Sequence, residues 1–382
     1  MSEKFWNEVR LDLLKQYLKA GCYSKTRIAE KMGKSYDSVR NAIRRYNLQR
    51  FDNSAEKDLL FDEEINGKKI KKKEVDVLAS RIGQRIYESY KTIKLPAPKK
   101  IRKSSSRREE VSILDISDIH VGMINKTYDN ELGKEVITYN HDIFLREMGT
   151  LQKSIFEIHD ILSNSYKLDK IVVNLLGDII TNDRIFPEQV FEIEQCVGAQ
   201  IWEAVPAFSN FFNNLLKIYN EVEVVCVVGN HGRSNPNHYN EPVENNFEYF
   251  FYKILEKQFA ENKRINIIVP NTRRYIHKIG KWRHLVEHGD QLRGYTDNSI
   301  EKQLKELYVN VGGFDVMHFG HLHKLKEREI SDKVLVKQNG CWIHKDDYAW
   351  KKFKTYSVPK QHFFGCNSKR PETWGYKIDL RG

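Results

Sequence analysis

Five apolar runs in the second two thirds of the chain stop on residues that bind cations, and this repetition limits the fold more than any other feature of the sequence. The first, Val111 to Gly122, is rich in β-branched residues and reads as a buried strand. It ends in Asp118-Ile119-His120. On extended backbone, residues two apart point the same way, so Asp118 and His120 are expected to converge just beyond the strand. A hard oxygen beside an imidazole nitrogen suits a divalent transition metal. The run from Lys170 ends in Gly177-Asp178, and the run from Glu221 ends in Gly229-Asn230-His231-Gly232-Arg233. Runs at 284–287 and 315–319 end in His288-Gly289-Asp290 and Gly320-His321-Leu322-His323. A further strand is expected at 265–269 and a helix over 188–216. Strands alternating with helices predict a layered α/β domain, in which chemistry gathers beyond the carboxyl ends of the strands. Every polar cluster just named is placed there.

Length and charge divide the chain. At 382 residues it suggests two domains with a linker. The formal charge is +11, yet residues 1–110 carry +12 and the remainder −1. A basic front end joined to a near-neutral domain predicts a nucleic-acid partner. No run approaches the ~18 apolar residues that span a bilayer, and the N-terminus lacks an apolar signal region. The five cysteines (Cys22, Cys196, Cys226, Cys341, Cys366) show no Cys-x-x-Cys spacing and are expected to be reduced. A cytoplasmic protein without a membrane partner is the expectation, in a prokaryotic or phage-infected cell.

Residues 5–20 carry Leu11, Leu14, Tyr17 and Leu18 on one helical face, with Gly21 as a stop. Ser24 is positioned to cap a short helix with Ile28, Ala29 and Met32 inward. Gly33 permits a tight turn, and Ser35 is positioned to cap a second helix that buries Val39, Ile43 and Tyr46. The other face of that helix presents Tyr36, Arg40, Asn41, Arg44 and Arg45. This pattern resembles the helix-turn-helix of small prokaryotic and phage DNA-binding domains, and these five residues are the expected DNA contacts. A solvated three-helix bundle is the bland alternative. Residues 1–50 are assigned to that domain. Residues 51–110 are assigned to a basic linker with one amphipathic helix over 74–93. That helix is expected to pack on a neighbouring domain rather than to dimerise, with a homodimer left open. Residues 111–382 form the larger domain.

Taken in order, Asp118-x-His120, Gly177-Asp178, Gly229-Asn230-His231, His288 and Gly320-His321-x-His323 resemble the calcineurin-like metallophosphoesterase family over roughly 111–325. The resemblance implies an αββα sandwich of two sheets behind a small all-α domain. It also implies two metal ions: Asp118, His120 and His323 on one, Asn230, His288 and His321 on the other, and Asp178 bridging. Carboxylate, amide and imidazole ligands suit Mn²⁺, Fe or Zn²⁺, and Mn²⁺ is the ion that the resemblance to break-repair nucleases favours. Two such ions ~3.5–4 Å apart acidify a bridging water and clamp phosphate oxygens. The activity that the resemblance implies is in-line attack on phosphorus by the hydroxide such a site would supply. The glycines are expected to let the backbone turn so that each ligand reaches the centre.

His231 would contact the phosphate and serve the leaving oxygen. Arg233 would stabilise transition-state charge, with a surface ion pair as its alternative. Asn182, Asp183 and Arg184 are placed along the cleft, whereas His284 and His318 are read as buried, hydrogen-bonded histidines. Protein phosphatases of the family carry Gly-Asp-x-x-Asp-Arg-Gly, and Thr181 stands at the second acidic position here. The C-terminal run from Gln338 resembles a tail of phage and prophage phosphoesterases. The expected activity is a DNA phosphodiesterase, that is, a nuclease recruited by its helix-turn-helix. The competing readings are a phosphomonoesterase acting on DNA ends or nucleotides, and a DNA-binding regulator with a relic phosphoesterase domain.

Overall fold

The computed structural model describes residues 6, 8–20, 25–49, 108–186, 189–237, 241–294, 296–330, 334–345, 350 and 356–381. The chain divides into two compact units, residues 1–82 and 83–382. The expected cap at Ser24 and the helix over 74–93 lie outside the described residues, as does the linker except for its last three positions.

In the first unit, α1 (Glu8–Ala20), α2 (Lys25–Lys31) and α3 (Tyr36–Arg45) enclose a small core. Leu14 and Leu18 meet Ile28, Ala29, Met32, Val39, Ala42, Ile43 and Leu48, with Leu11, Tyr17 and Tyr46 packed at its margin. Gly33 adopts φ +62° in the turn between α2 and α3, a conformation that costs a residue bearing Cβ. The Ser35 hydroxyl accepts the Ser38 amide at 3.3 Å and so caps α3. Tyr36, Arg40, Asn41, Arg44 and Arg45 are all exposed on its outer face.

The second unit follows the order β1 (Arg108–Ile116), β2 (Asn125–Asp129), β3 (Lys134–Tyr139), α4 (His141–Ser163), β4 (Tyr166–Leu175), α5 (Val197–Leu215), β5 (Glu221–Cys226) and α6 (Phe247–Phe259). It continues with β6 (Ile265–Ile268), β7 (Arg274–Ile279), β8 (Trp282–Glu287), α7 (Asp297–Asn310), β9 (Val316–Phe319), β10 (Lys326–Ile330), β11 (Val334–Gln338), β12 (Lys360–Cys366) and β13 (Trp374–Asp379). One sheet has the order β13-β12-β1-β4-β5-β6 and the other β10-β11-β9-β8-β7. In the first, β1, β4, β5 and β6 run parallel, and β12 and β13 are antiparallel additions. Strands β8, β9 and β11 run parallel in the second.

The sheets face each other. Ile113, Val172 and Phe364 of one meet Ile279 of the other, and Leu176, Val225 and Val227 meet Val286. Helices α4 and α6 pack on the first sheet, and α5 packs against both of them. Helix α7 covers the second, setting Ile300, Leu304 and Leu307 on Leu285, Met317, Phe319 and Val336. The unit is therefore an α/β sandwich with helices outside two central sheets. The register pairs Ile116 with Leu175 and Leu175 with Cys226, so the loops bearing Asp118, Asp178 and Asn230 leave one level edge.

Two expectations need correcting. The helix expected over 188–216 is shorter: Gln189–Phe191 is a single 3₁₀ turn and α5 begins at Val197. Gln189 turns inward instead, its amide bonding Thr181 O and its carbonyl accepting the Ile185 amide at 2.8 Å. Cys226, Cys341 and Cys366 are free and buried, but Cys196 is disulfide-bonded rather than reduced. His284 and His318 are buried and hydrogen-bonded between the sheets. Asp115 accepts from Asn174 at 2.8 Å and lies 2.9 Å from His318 Nδ1, whose Nε2 lies 2.9 Å from His284 Nδ1.

Candidate metal centre

The loops beyond the strands are laced together by their own backbone. Asp118 N donates to Gly177 O at 3.1 Å, His120 N to Asp178 O at 3.0 Å, and Gly320 N to His288 O at 2.9 Å. Strand β1 ends at Ile116, and Asp118 and His120 then take φ +52° and +56°. They converge because each stands on left-handed backbone, and not through the alternation of an extended strand as the sequence suggested. Asp178 (+52°), His321 (+66°) and His323 (+53°) do the same. Carboxylates are held by the amides of other loops: Asp118 accepts His321 N at 3.0 Å and Asp178 accepts His231 N at 2.8 Å.

The glycines act only partly as expected. Gly177 turns, with φ +86°. Gly229 and Gly320 matter for close approach instead: a Cβ on Gly229 would lie 2.1 Å from Asp178 Oδ1, and one on Gly320 2.4 Å from Asp118 Oδ2.

All seven residues read as ligands come together. Asp118, His120 and His323 bring ligand atoms within 4.8 Å of one another, as do Asp178, His288 and His321. Asn230 joins through Oδ1, 3.0 Å from His288 Nε2. A third group, His120, Asp178 and His231, overlaps both.

The donor set asks for positive charge. His288 Nδ1 donates to Leu176 O at 2.8 Å, which leaves Nε2 facing Asp178 Oδ2 at 3.0 Å and Asn230 Oδ1 at 3.0 Å. Nitrogen and oxygen lone pairs at that spacing repel unless a proton or a cation lies among them. His120 Nε2 and His323 Nε2 likewise stand 3.2 Å apart. Burial opposes charge on His288, but the Asp178 carboxylate raises it to about 10. Burial would push Asp178 up, and His288 and His231 outweigh it, holding the carboxyl well below the usual range. His120 and His321 are pushed well down by burial, with the charges of His231 and His288 respectively adding to it. These residues therefore fit divalent cations, with imidazole, amide and carboxylate donors suited to Mn²⁺, Fe or Zn²⁺.

His231 borders this group. Its Nδ1 lies 2.9 Å from Thr181 O, its Nε2 4.0 Å from Asp178 Oδ2, and burial lowers its pKa. Arg233 is buried, which removes the surface ion pair as an alternative, and its Nε donates to Asn230 O at 2.9 Å. Asn182 is buried rather than lining a cleft, donating to His231 O and Arg233 O at 2.7 and 2.8 Å. Arg184 is exposed, with Nε on Asp183 Oδ1 at 3.0 Å.

Sequence reasoning missed the residues that hold these loops from behind. Glu248, fully buried in the first turn of α6, accepts from Ile179 N and Ile180 N with one oxygen and from Gly229 N at 2.6 Å with the other. Asn246 caps that helix and donates to Gly229 O at 3.0 Å. Gln200 accepts the Asn182 amide at 2.7 Å. The Asn246 cap is legible as a helix start, but nothing in its neighbourhood marks Glu248 as turned inward.

No family model and no curated protein matches the sequence. Among solved structures, the chain is similar to Vps29 of Entamoeba histolytica complexed with zinc, at 12% identity over 71% of this chain and 99% of that one, with a TM-score of 0.33. A Streptococcus pneumoniae protein described as a predicted phosphoesterase is 12% identical over 70% and 98%, with a TM-score of 0.30. A 5'-nucleotidase of Candida albicans is 10% identical over 74% of this chain and 54% of its own, with a TM-score of 0.33. What the centre can do is read below from its own residues.

Proposed function

We propose that the second unit is a metal-dependent phosphoesterase holding two divalent cations, and that the whole chain is a DNA phosphodiesterase. One observation carries this reading: three groups of ligand-type side chains form a chain, the first joined to the second by His120 and the second to the third by Asp178. In this reading Asp118, His120 and His323 hold one cation, Asn230, His288 and His321 the other, and Asp178 serves both. Mn²⁺ is the proposed ion. Bound cations would supply positive charge for phosphate oxygens and make water more acidic.

The chain's own side chains do the rest. The Asp178 carboxylate is kept ionised by its histidine neighbours. Thr181 O fixes the ring of His231 so that Nε2 is the atom left for substrate. An arriving phosphate raises the proton affinity of Nε2 and turns it into a donor toward the leaving oxygen. Arg233 holds the carbonyl of Asn230 and so steadies a ligand from behind. The basic face of α3, with Tyr36, Arg40, Asn41, Arg44 and Arg45, is proposed to bring DNA to the chain. Tethering then raises the local concentration of phosphodiester.

The test is incubation of the full chain with Mn²⁺ and end-labelled single- and double-stranded DNA. Cleavage that EDTA stops and Asp178→Asn abolishes is the expected result. A metal-loaded, folded protein that hydrolyses neither DNA nor bis-p-nitrophenyl phosphate would overturn the reading. Release of phosphate from DNA ends alone would make it a monoesterase.

A further inference from the structure

A row of rings runs outward from the metal centre. His323 and His120 have centroids 5.1 Å apart, His120 and His231 4.5 Å, and His231 and Phe186 5.1 Å. The outer ring is the anomaly. Phe186 is 42% exposed although it lies directly against a residue of the centre. An exposed phenylalanine usually belongs to a loose loop, but this one is clamped. Gln189 N donates to Phe186 O at 3.1 Å, and Gln189 Oε1 accepts from the amides of Ile185 and Phe186 at 2.8 and 3.3 Å. The same Gln189 amide bonds Thr181 O, the atom that sets the ring of His231. One turn of chain therefore fixes both the ring that faces the phosphate and the apolar face beside it. Phe191, in the following 3₁₀ turn, is 84% exposed.

We infer that Phe186 is a stacking platform for an unpaired nucleobase, the one carried by the nucleotide whose phosphate enters the centre. The inference rests on the phosphodiesterase reading and names its substrate class. A phosphate held at His231 would have an ester group within reach of Phe186, whose ring centroid lies 5.1 Å from that of the histidine. A flat base attached there meets an aromatic face whose backbone Gln189 already holds. Within a duplex both faces of a base are covered by its neighbours, so only single strands or frayed ends can offer one. The basic excess of residues 1–110 marks a polyanion, rather than an apolar ligand, as what the chain binds.

The experiment uses the full chain with Mn²⁺ and a phosphorothioate-linked trithymidylate, too short to fill a helix-turn-helix site. Its dissociation constant is compared with that of the same trinucleotide made abasic at one position in turn. Wild type should prefer the intact ligand over one abasic form by about ten-fold, the size that base–aromatic stacking supports. Phe186→Ala should erase that ratio and Phe186→Tyr should keep it. A wild-type ratio near one overturns the inference without any variant. So does a ratio that survives Phe186→Ala, or one that falls equally in Phe186→Tyr. Hydrolysis of the unmodified trinucleotide is scored alongside: a preserved ratio without hydrolysis fails the phosphodiesterase reading and leaves Phe186 in place, whereas hydrolysis without a base preference does the reverse.

Discussion

Asp118, His120, Asp178, His321 and His323 all stand on left-handed backbone. Each such residue costs on the order of 1–2 kcal/mol, and a cluster of five persists only because the surroundings over-determine it. Two kinds of neighbour do this here. Glycines make room: Ala at Gly229 or Gly320 would put a methyl 2.1 Å from Asp178 Oδ1 or 2.4 Å from Asp118 Oδ2. Gly229→Ala and Gly320→Ala should therefore each cost at least ten-fold in Mn²⁺ affinity, while Gly280→Ala, with nothing within 4 Å of its Cβ, should leave that affinity alone. Calorimetric titration reads this directly. Glu248 makes the second restraint, joining the loops of Asp178 and Asn230 through three backbone amides. In Glu248→Gln one oxygen becomes an NH₂ that faces an N–H, and a loss of about 10–100-fold in metal affinity is expected, as for other groups that orient ligands. An unchanged titration would mean the loops hold themselves. The seven ligand-type residues were legible in the sequence because acid, amide and imidazole followed apolar runs. Glu248 and Gln189 were not, because they act on backbone atoms from distant positions and carry no local pattern, and Asn182 was picked out for the cleft rather than for the carbonyls of His231 and Arg233 that it holds.

Among the elements, the legible strands are those with a short apolar stretch leading into a loop. In β1, β4, β5, β8 and β9 the stretch before the loop is buried because helices or the opposite sheet cover it, and the edge strand β6 was legible from its isoleucines. The β2–β3 hairpin and the strands β7, β10, β11, β12 and β13 were missed: the mixed sequences of Lys326–Ile330 and Trp374–Asp379 pair at sheet edges, and β12, buried between β1 and β13, is interrupted by Gln361, His362 and Gly365. Helix α4 carries a feature that periodicity hides. Glu147 is on its buried face, and burial pushes its carboxyl up to about 8. The folded chain thus keeps a proton that the unfolded chain gives up near pH 4.5. Stability is whole below that value and declines as pH rises toward 8, by a few kcal/mol at most. Glu147→Gln cannot ionise, so it should melt several degrees above wild type at pH 8.5 and within a degree or two of it at pH 4.5. Thermal unfolding at the two pH values checks this, and a shift independent of pH would place the effect in packing. On α3, the expected outcome for Arg40→Ala with Arg44→Ala is weaker DNA binding that is less sensitive to salt, with metal content untouched. Filter binding across a salt series measures it.

For the whole molecule, the division of charge is sharper than the division of structure. The first unit, residues 1–82, carries +6, whereas the short stretch 83–107 carries +7. If only the exposed face of α3 met DNA, the second basic block would be idle. Counterion release depends on the number of phosphates neutralised and not on which fold presents the charges, so both blocks should register in the salt dependence. Two truncations separate them. Removing 1–82 should lower DNA affinity and flatten the slope of log K against log salt by roughly half. Removing 1–107, which leaves β1 intact from Arg108, should flatten it by roughly as much again. Neither cut touches the metal centre, so turnover of bis-p-nitrophenyl phosphate per metal-loaded molecule should hold through both. A slope lost entirely in the first step would assign DNA binding to the helical unit alone. Small-ester turnover that falls in step with DNA affinity would mean that the basic front end supports the centre, and the division of labour between the two units would have to be given up.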